Sequence, residues 1–379
     1  MHILLLTYEF YPSNGGVGNA TLSLARAFRE HLGAKVSVVV GGTWYDWQGA
    51  KEAEEWEGMS IRRIKYTGIP EERFFRRSLR SAIFFVRLFF TVRKLSPDVI
   101  IAQRVFDLGV FGGLLGLLLG CRAIAYAHGP DEIGHADILR HRRLLNRLAG
   151  KLCDEVVATN THHAKYLEEN IGQPVSVIPN IAVLSHSMDR SESRLKLGFK
   201  EDFYHLLFVG RLCKEYNVET KGLSYLLKAM PSLPGTLLHV IGEGPLFSWH
   251  KQLAVELNIS SRVIFHGGRS HEEVNDLMCA SDALVAPSIF EGCSLTVLEA
   301  MKLGLLVLAT PVGGLLDLVR DGETGLRIRV SDSESIAVQV RRAQSDEELC
   351  HTLTENARKS VNESNSSSAV AERFLTLLH

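Results

Sequence analysis

The sequence predicts an α/β protein made of two Rossmann-like domains, each built around a parallel β-sheet. Short apolar segments alternate with longer amphipathic segments, which is the pattern of a parallel sheet with helices on both faces. The alternation stops after Pro179-Asn180 and begins again at His205–Val209. A chain of 379 residues is also too long for one ordinary hydrophobic core, so two domains of similar size are expected.

The first half alternates from its first residues onward. Its predicted strands are Ile3–Thr7, Lys35–Val40, Asp98–Ala102, Ala123–Ala127, Glu155–Ala158 and Val175–Ile178. In such a sheet, ligands bind beyond the carboxyl ends of the strands. The loop after the first strand contains Gly15 and Gly16, so the following helix start can approach a phosphate or another group of a ligand; packing alone is the alternative. His128 follows a strand and lies at the same edge.

Two segments of the first half combine basic residues with apolar and aromatic ones, and neither contains an acid. They are 73–94 and 138–151. Helices of this composition can lie in an anionic membrane interface. The alternative is a core helix whose arginines face water. That role does not require an excess of basic over acidic residues, so a membrane-facing first domain is favoured. Leu108–Cys121 is too short and glycine-rich to span a membrane and is expected to be a buried helix.

In the second half, Asp282–Met301 is interpreted as a strand, a turn and a helix, with Glu291 and Gly292 in the turn. Backbone N–H groups at the helix start can bind an anion, most naturally phosphate. Glu291 and Glu299 place two carboxylates beside it, which suits a ligand with hydroxyl groups at both ends, such as a sugar nucleotide. A strand–helix unit with two surface acids is the alternative on these residues alone.

Positive charge is expected at the same sheet edge. Gly210-Arg211 follows the predicted strand His205–Val209, and Lys221 precedes a predicted helix. One arginine and one lysine on a diphosphate would neutralise it as a leaving group. Lys214 is the competing lysine, and a surface salt bridge is the other role open to either lysine.

Several motifs occur in one order along the chain. They are Gly15-Gly16-Val17-Gly18, His128-Gly129, Ile178-Pro179-Asn180, Val209-Gly210-Arg211-Leu212, Lys221-Gly222-Leu223, Gly242-Glu243-Gly244-Pro245, Glu291 with Glu299, and Asp321-Gly322-Glu323-Thr324-Gly325. On these residues the chain resembles the retaining glycosyltransferase family 4, the group 1 glycosyl transferases of the GT-B fold. It departs from the family pattern at Ile181-Ala182-Val183 and in the ten-residue step from Arg211 to Lys221, which implies an insertion.

This resemblance implies two Rossmann-like domains that face each other across a cleft. His128 would line the sugar end of the cleft, Glu291 would hold hydroxyl groups of the donor sugar, and Glu299 those of the ribose. Contacts to the donor are implied for Gly15, Gly16, Gly210, Arg211, Lys221, Gly244, Ser294, Leu295 and Thr296. Asp131 would contact the acceptor or serve as a turn residue. Asp317 stands where the family often has glutamate, or is a charge at a helix start.

Interruptions in the alternation of predicted strands and helices indicate the domain boundaries. The acceptor-binding domain is placed at 1–185 and the nucleotide-sugar-binding domain at 201–360. The linker is placed in 181–200, where the apolar residues follow no regular pattern. The resemblance implies that the final segment, 361–379, forms a helix that crosses back to the first domain.

Composition narrows the classes of function. Hydrophobic residues make up 46% and charged residues 22%, as in globular proteins, and the net charge of −1 gives no field that would attract nucleic acid. The six cysteines have no paired spacing, and the sequence contains neither a leader-like segment nor a long apolar run. A cytoplasmic protein is expected, with peripheral attachment to the inner face of a membrane as the further option.

The expected activity is transfer of a hexosyl group from a nucleotide-diphosphate sugar to an acceptor hydroxyl, with retention at the anomeric carbon. No metal or other cofactor is expected, because Arg211, Lys221 and the helix dipole would stabilise the leaving diphosphate. The basic segments favour a lipid-linked or envelope glycan acceptor. The alternatives are a sugar-nucleotide epimerase, a disaccharide phosphorylase and a catalytically silent membrane-surface module.

Overall fold

The computed structural model describes residues 1–12, 15–42, 50–65, 74–129, 136–184, 189–215 and 217–378, without the side chains of 42, 74–79, 136–141 and 215. Two residues discussed above lie outside the described residues: Arg73, the first residue of the basic segment 73–94, and Asp131. The chain divides into two compact units. One contains Met1–Ile181 and Ser367–His379, and the other contains Ala182–Ser366.

The first unit is built around one sheet. Its strands are β1 (His2–Thr7), β2 (Lys35–Gly42), β3 (Ala53–Trp56), β4 (Met59–Lys65), β5 (Val99–Ala102), β6 (Arg122–Ala127), β7 (Glu155–Ala158) and β8 (Ser176–Val177). They lie in the order β3-β4-β2-β1-β5-β6-β7-β8, and the pairs are parallel except for β3 with β4. Strands β3 and β4 were not predicted from the sequence, because both contain charged residues and neither has a continuous apolar run; β3 is the edge strand, and β4 pairs with β3 and β2.

The helices that connect these strands cover the sheet. They are α1 (Gly16–Leu32), α2 (Phe74–Leu95), a π-helix (Val105–Gly109), α3 (Val110–Leu119), α4 (Ala136–Leu152) and α5 (Thr161–Ile171). Phe84, Leu88 and Val92 recur every four residues and form the buried stripe of α2. The expectation of one buried helix at Leu108–Cys121 was wrong in part: α3 ends in leucines that face outward, with Leu118 60% exposed.

The second unit repeats the α/β pattern. Its strands are β9 (Tyr204–Val209), β10 (Lys214–Glu215), β11 (Val218–Glu219), β12 (Thr236–Ile241), β13 (Val263–Gly267), β14 (Ala283–Ala286), β15 (Leu306–Ala309) and β16 (Leu326–Arg327). The main sheet is parallel, in the order β13-β12-β9-β14-β15-β16, while β10 and β11 form a separate hairpin. Two parallel-sheet units confirm the predicted fold class.

The helices of the second unit are α6 (Arg190–Leu197), α7 (Leu223–Ala229), α8 (Phe247–Glu256), α9 (His271–Ala280), α10 (Leu295–Leu303), α11 (Leu315–Leu318), α12 (Ser333–Ser345) and α13 (Glu347–Ser364). Helix α6 corrects the predicted linker at 181–200 and the predicted domain start at 201. Arg194 Nη2 lies 2.8 Å from Asp282 Oδ1, and Lys196 Nζ lies 2.7 Å from Asp276 Oδ2. Polar contacts attach α6 to the unit, so its low apolar content gave no sign of this packing.

The final helix, α14 (Ser367–Leu378), belongs to the first unit. Phe374 makes edge contacts with Phe28, at a ring-centre distance of 5.2 Å, and with Tyr126, at 5.4 Å. The helix starts at Ser367 rather than at 361, because α13 continues to Ser364. Within the described ranges, none of the helices combines the length and the hydropathy that a membrane-spanning segment requires.

Candidate functional site

A polar pocket lies at the carboxyl ends of β9 and β14 in the second unit. Lys221 Nζ lies 2.5 Å from Glu291 Oε2, and Ser288 Oγ donates to the same oxygen at 3.3 Å. Ser294 and Thr296 also line the pocket. The Lys221 side chain is 27% exposed and that of Glu291 is 10% exposed. Water therefore screens this ion pair less than it would a surface pair.

Glu291 lies in the turn between β14 and α10, where the sequence places it. Ser294 is the N-cap residue of α10, and its Oγ accepts a hydrogen bond from the Val297 N–H at 3.4 Å. The first N–H groups of a helix have no acceptor within that helix. The Leu295 and Thr296 amides therefore give this end of the pocket a positive potential suited to an anion.

The backbone around Glu291 packs directly on Gly313-Gly314. The Gly314 N–H donates to the Gly292 carbonyl at 2.8 Å. Gly313 has a φ of 50°, and a Cβ atom at this position would lie 1.8 Å from the Glu291 carbonyl oxygen. Gly313-Gly314 thus supports the turn that carries Glu291.

Replacing Gly313 with alanine is expected to lower the free energy of unfolding by about 3 kcal/mol, from backbone strain and overlap with the Glu291 carbonyl. Gly304→Ala is the matched control, because Gly304 has a φ of 76° but no atom within 4 Å of an added Cβ. It is expected to cost about 1–2 kcal/mol. Urea unfolding of both variants measures the difference, and equal losses would contradict a packing role for Gly313.

The loop that carries Lys221 is fixed against the loop after β14. Gly222 has a φ of 67°, and a Cβ atom there would lie 2.1 Å from the Pro287 carbonyl oxygen. The Ile289 N–H donates to the Thr220 carbonyl at 2.8 Å. Close backbone contact on both sides of Lys221 therefore positions its ammonium group beside Glu291.

The insertion between Arg211 and Lys221 is the β10–β11 hairpin. At its end, the Glu219 carboxylate accepts hydrogen bonds from the Ser224 N–H at 3.1 Å and from His250 Nε2 at 2.7 Å. Glu219 and His250 were not predicted from the sequence, because neither lies in a motif. The one available signal was an acid shortly before the start of α7, where a carboxylate is favoured.

Arg211 follows β9 and has an exposed side chain, whereas Lys221 lies inside the pocket. The neighbouring Gly210 lies against the stem of Lys221, since a Cβ atom there would be 3.1 Å from Lys221 Cγ. Gly244 has a φ of 148°, and its added Cβ would lie 2.3 Å from the Leu212 carbonyl oxygen. Packing against the backbone therefore accounts for the glycine at 244 without a ligand.

Glu299 lies on α10 one turn beyond Thr296, and Glu299 Oε1 is 3.2 Å from His271 Nε2. Burial raises the pKa of Glu299 to about 8. A protonated His271 favours the ionised carboxylate and so acts against this burial effect. A protonated Glu299 can donate one hydrogen bond as well as accept others.

Replacing Glu299 with glutamine is expected to stabilise the protein increasingly as the pH rises from 5 to 8. The pKa is near 4.5 in the unfolded chain and about 8 in the folded protein. Folding thus retains a proton in this window, and wild-type stability falls with rising pH, by at most about 1.4 kcal/mol per pH unit. Urea titrations at pH 5 and 8 measure this, with the exposed Glu355→Gln as control. A variant difference independent of pH would contradict a buried, neutral Glu299.

In the first unit, His128 lies at the end of β6 and is 8% exposed. Its Nε2 is 2.6 Å from Gln103 Oε1, and its ring centre is 4.3 Å from that of Tyr126. Burial lowers the pKa of His128 to about 3, against the opposing effect of a hydrogen bond with Asn180. The imidazole is therefore neutral at physiological pH. Gln103 was not predicted from the sequence, since its only signal is its position directly after β5.

The glycine loop before α1 holds a carboxylate of its own chain. Glu9 Oε2 accepts a hydrogen bond from the Gly18 N–H at 3.4 Å. A Cβ atom on Gly15 would lie 1.4 Å from Glu9 Oε1, whereas one on Gly16 would meet no atom within 4 Å. Glu9 therefore occupies the helix start at which the sequence placed an anionic ligand, and close packing accounts for Gly15.

Comparisons with known proteins give one result for both halves of the chain. Residues 14–185 match the family model described as Glycosyltransferase Family 4, and residues 189–360 match the one described as Glycosyl transferases group 1. The lipopolysaccharide core biosynthesis glycosyltransferase LpsE of Rhizobium meliloti is 30% identical over 185 residues, which are 49% of this chain and 52% of LpsE. The chain spans about half the length of the curated relatives that it matches first.

Solved structures share the fold along the whole chain. Sucrose-phosphate synthase from Thermosynechococcus elongatus has a TM-score of 0.84 at 22% identity, over 100% of this chain and 98% of that chain. HepE from Anabaena, solved in complex with UDP-glucose, has a TM-score of 0.79 at 19% identity, over 100% of this chain and 99% of that chain. At these identities the likeness shows the fold.

Proposed function

The chain belongs to the group 1 glycosyl transferases, with family 4 features and the GT-B fold, and from this premise we propose that it transfers a hexosyl group from a nucleotide-diphosphate sugar to an acceptor hydroxyl, with retention at the anomeric carbon. One observation carries this proposal: the Lys221–Glu291 pair, at 2.5 Å, borders the start of α10. A cation, an acid and helix amides together suit a ligand with phosphate and hydroxyl groups. The solved complex of HepE with UDP-glucose supports a donor of this class.

The reaction breaks the bond between the anomeric carbon and the adjacent phosphate oxygen. Negative charge then develops on the diphosphate, where Lys221, Arg211 and the amides of Leu295 and Thr296 stabilise it. The acceptor oxygen bonds to the anomeric carbon on the face that the diphosphate leaves, and a phosphate oxygen takes the acceptor proton. This same-face route needs no carboxylate nucleophile, which fits a Glu291 that is paired with Lys221.

Two residues of the second unit position the donor in this proposal. Glu291 accepts hydrogen bonds from hydroxyl groups of the transferred sugar, and Glu299 binds those of the ribose. In the first unit, His128 is a neutral imidazole, oriented by Gln103 at 2.6 Å, and it suits a hydrogen bond to a sugar hydroxyl group. The hydroxyl groups are thus held by uncharged or paired groups, while positive charge is kept for the diphosphate.

Thermal-shift measurements with UDP, GDP and ADP sugars test donor binding, and assays with and without an acceptor test the reaction. Transfer requires that donor consumption depends on an acceptor hydroxyl. An epimerase would convert the donor without an acceptor, and a phosphorylase would cleave a disaccharide only with phosphate. Absence of binding to every nucleotide sugar would refute the proposed function.

The first unit supports a lipid-linked acceptor. Helices α2, α3 and α4 expose apolar side chains, including Phe90, at 55% exposed, Leu117, at 67%, and Leu144, at 65%. Two of these helices also expose arginines, Arg87 on α2 and Arg143 on α4. A surface that is both apolar and basic matches an anionic membrane interface. We place the enzyme on the cytoplasmic face of a membrane, in envelope glycan synthesis. The name of the relative LpsE, which refers to lipopolysaccharide core biosynthesis, supports this placement.

Vesicle sedimentation tests this surface. Wild type is expected to bind phosphatidylglycerol-containing vesicles more tightly than pure phosphatidylcholine vesicles. Ile83→Ser with Phe90→Ser should weaken binding roughly 10-fold or more, because two exposed apolar side chains no longer insert. Val255→Ser with Val338→Ser removes comparably exposed side chains from the second unit and should have no effect. Equal binding by both double variants would contradict the assignment.

A further inference from the structure

The β10–β11 hairpin is attached to α8 at both of its ends. Two residues before the hairpin, the Leu212 carbonyl accepts a hydrogen bond at 2.9 Å from the N–H of Leu246, the N-cap residue of α8. At the last residue of the hairpin, the Glu219 carboxylate accepts a hydrogen bond at 2.7 Å from Nε2 of His250, which lies within α8. One helix therefore fixes where the insertion begins and where it ends.

Glu219 also closes the short segment that carries Lys221. Its Oε1 atom accepts a hydrogen bond from the Ser224 N–H at 3.1 Å, and its Oε2 atom accepts one from Ser224 Oγ at 2.5 Å. Lys221 lies between these two residues in the sequence. The carboxylate thus joins the two ends of the segment and restricts the conformations that are open to the backbone at Lys221.

The Glu219–His250 pair is shielded from water. The Glu219 side chain is 10% exposed, and that of His250 is 0% exposed. Burial by itself raises the pKa of Glu219, but the hydrogen bonds from His250 and Ser224 outweigh this effect and hold the pKa below its ordinary value. Glu219 is therefore ionised at neutral pH, and its hydrogen bonds are of the charge-assisted kind, which are stronger than those between neutral groups.

The position of the Lys221 ammonium group depends on the backbone from which the side chain extends. Lysine carries its charge on a flexible four-carbon stem, so the side chain by itself does not fix where the charge lies. The ten-residue step from Arg211 to Lys221 lengthens the chain directly before that backbone. Even so, Lys221 Nζ lies 2.5 Å from Glu291 Oε2. Contacts made at the far end of the insertion therefore have to compensate for its length.

We propose that Glu219 and His250 are positioning residues for glycosyl transfer, which hold the Lys221 ammonium group beside Glu291 despite the insertion. Neither is among the described residues that line the pocket, so both act through Lys221. The inference rests on the proposed function for its effect on turnover. The placement of Lys221, by contrast, can be measured without any substrate.

Lysine acetylation with limiting reagent, followed by peptide mass spectrometry, measures that placement. An ammonium group must leave its carboxylate partner and lose a proton before it can react, so Lys221 should react more slowly than the exposed Lys359 of α13. Glu219→Gln keeps the size of the side chain but removes its charge, and it should raise the rate at Lys221 several-fold relative to Lys359. An unchanged ratio in the folded variant would overturn the proposal.

Variants of His250 form a second arm, which also serves if Glu219→Gln does not fold. His250→Phe keeps a ring of similar size but donates no hydrogen bond, and it should release Lys221 as Glu219→Gln does. His250→Gln retains an N–H donor and should keep most of the protection. Equal reactivity of Lys221 in the two His250 variants would contradict a role for the hydrogen bond.

Asp276→Asn is the matched control. Asp276 is a comparably buried acid of the same unit, 6% exposed, and it pairs with Lys196 at 2.7 Å. Its replacement should leave the rate at Lys221 unchanged, because Asp276 does not contact the segment 219–224 through this pair. Faster acetylation of Lys221 in Asp276→Asn would attribute the effect to a general loosening of the unit and would overturn the proposal.

Turnover separates positioning from a merely structural effect. Glu219→Gln should lower kcat for glycosyl transfer roughly 10-fold, because a small displacement of a group that stabilises charge is costly. In the Lys221→Met background the same change should cost less than about 2-fold, since no ammonium group is left to position. The full loss in that background would show that Glu219 does not act through Lys221. If wild type transfers no sugar, the proposed function fails, and the acetylation rates still decide whether Glu219 and His250 hold Lys221.

Discussion

Replacing Lys221 with methionine is expected to lower kcat for glycosyl transfer by about 10²- to 10³-fold, the usual cost of removing one preorganised group that stabilises developing charge. Methionine keeps the length of the side chain but not its positive charge. The variant also leaves Glu291, only 10% exposed, without its ion-pair partner. The leaving diphosphate would then lose a cation and meet an uncompensated carboxylate. Steady-state kinetics with a saturating donor measure the effect.

Lys214→Met is the matched control for this prediction. Lys214 is the competing lysine of the same insertion, but it is exposed on β10 and is not among the described residues that line the pocket with Glu291. We expect its kcat to stay within about two-fold of wild type, as for a surface charge of small effect. A large loss in Lys214→Met with normal turnover in Lys221→Met would reverse the assignment.

Replacing Glu291 with glutamine is expected to have opposite effects on turnover and on product binding. Transfer should fall by about 10²-fold or more, because the donor sugar loses an ionised acceptor for its hydroxyl groups. The free nucleoside diphosphate should bind roughly 5-fold more tightly, because removing a carboxylate about 4 Å from a phosphate relieves on the order of 1 kcal/mol of repulsion. The freed Lys221 ammonium group contributes to the same gain.

Isothermal titration with UDP, GDP and ADP, beside the transfer assay, separates these effects. Glu323→Gln is the control, because Glu323 pairs with Arg320 at 2.9 Å on the exposed surface of the same unit. It should change neither quantity. Weaker binding of the nucleoside diphosphate to Glu291→Gln would show that Glu291 does not compete with the phosphates for Lys221.

The order of the strand, turn and helix around Glu291 could be predicted because each signal is local. A short apolar run ends at Pro287, Ser294 provides the N-cap of α10, and Gly304 ends the helix in a left-handed conformation. The backbone geometry at these residues depends mainly on the residues themselves and little on distant parts of the chain. The same kind of signal predicted the parallel sheets of both units.

The pairing of these local pieces followed from the tertiary structure. Lys221 and Glu291 are 70 residues apart, and they meet because β9 and β14 are neighbours in the sheet. Strand order depends on the packing of complete helices and strands, which no local pattern reports. For the same reason, the sequence could not show that Glu9 occupies the glycine loop or that Glu219 and His250 anchor the insertion.

By itself, the sequence determined the α/β class, the duplicated sheet pattern and the motifs that identify the family. Periodic burial and special backbone angles depend on residues that are close together in the sequence, so they can be recognised there. Only the tertiary structure decided which charges meet, since side-chain partners are chosen by strand order and helix packing. It assigned α6 to the second unit and α14 to the first through contacts with distant residues. It also brought Arg104 and Arg142, from separate elements of the chain, into contact with the Phe106 ring.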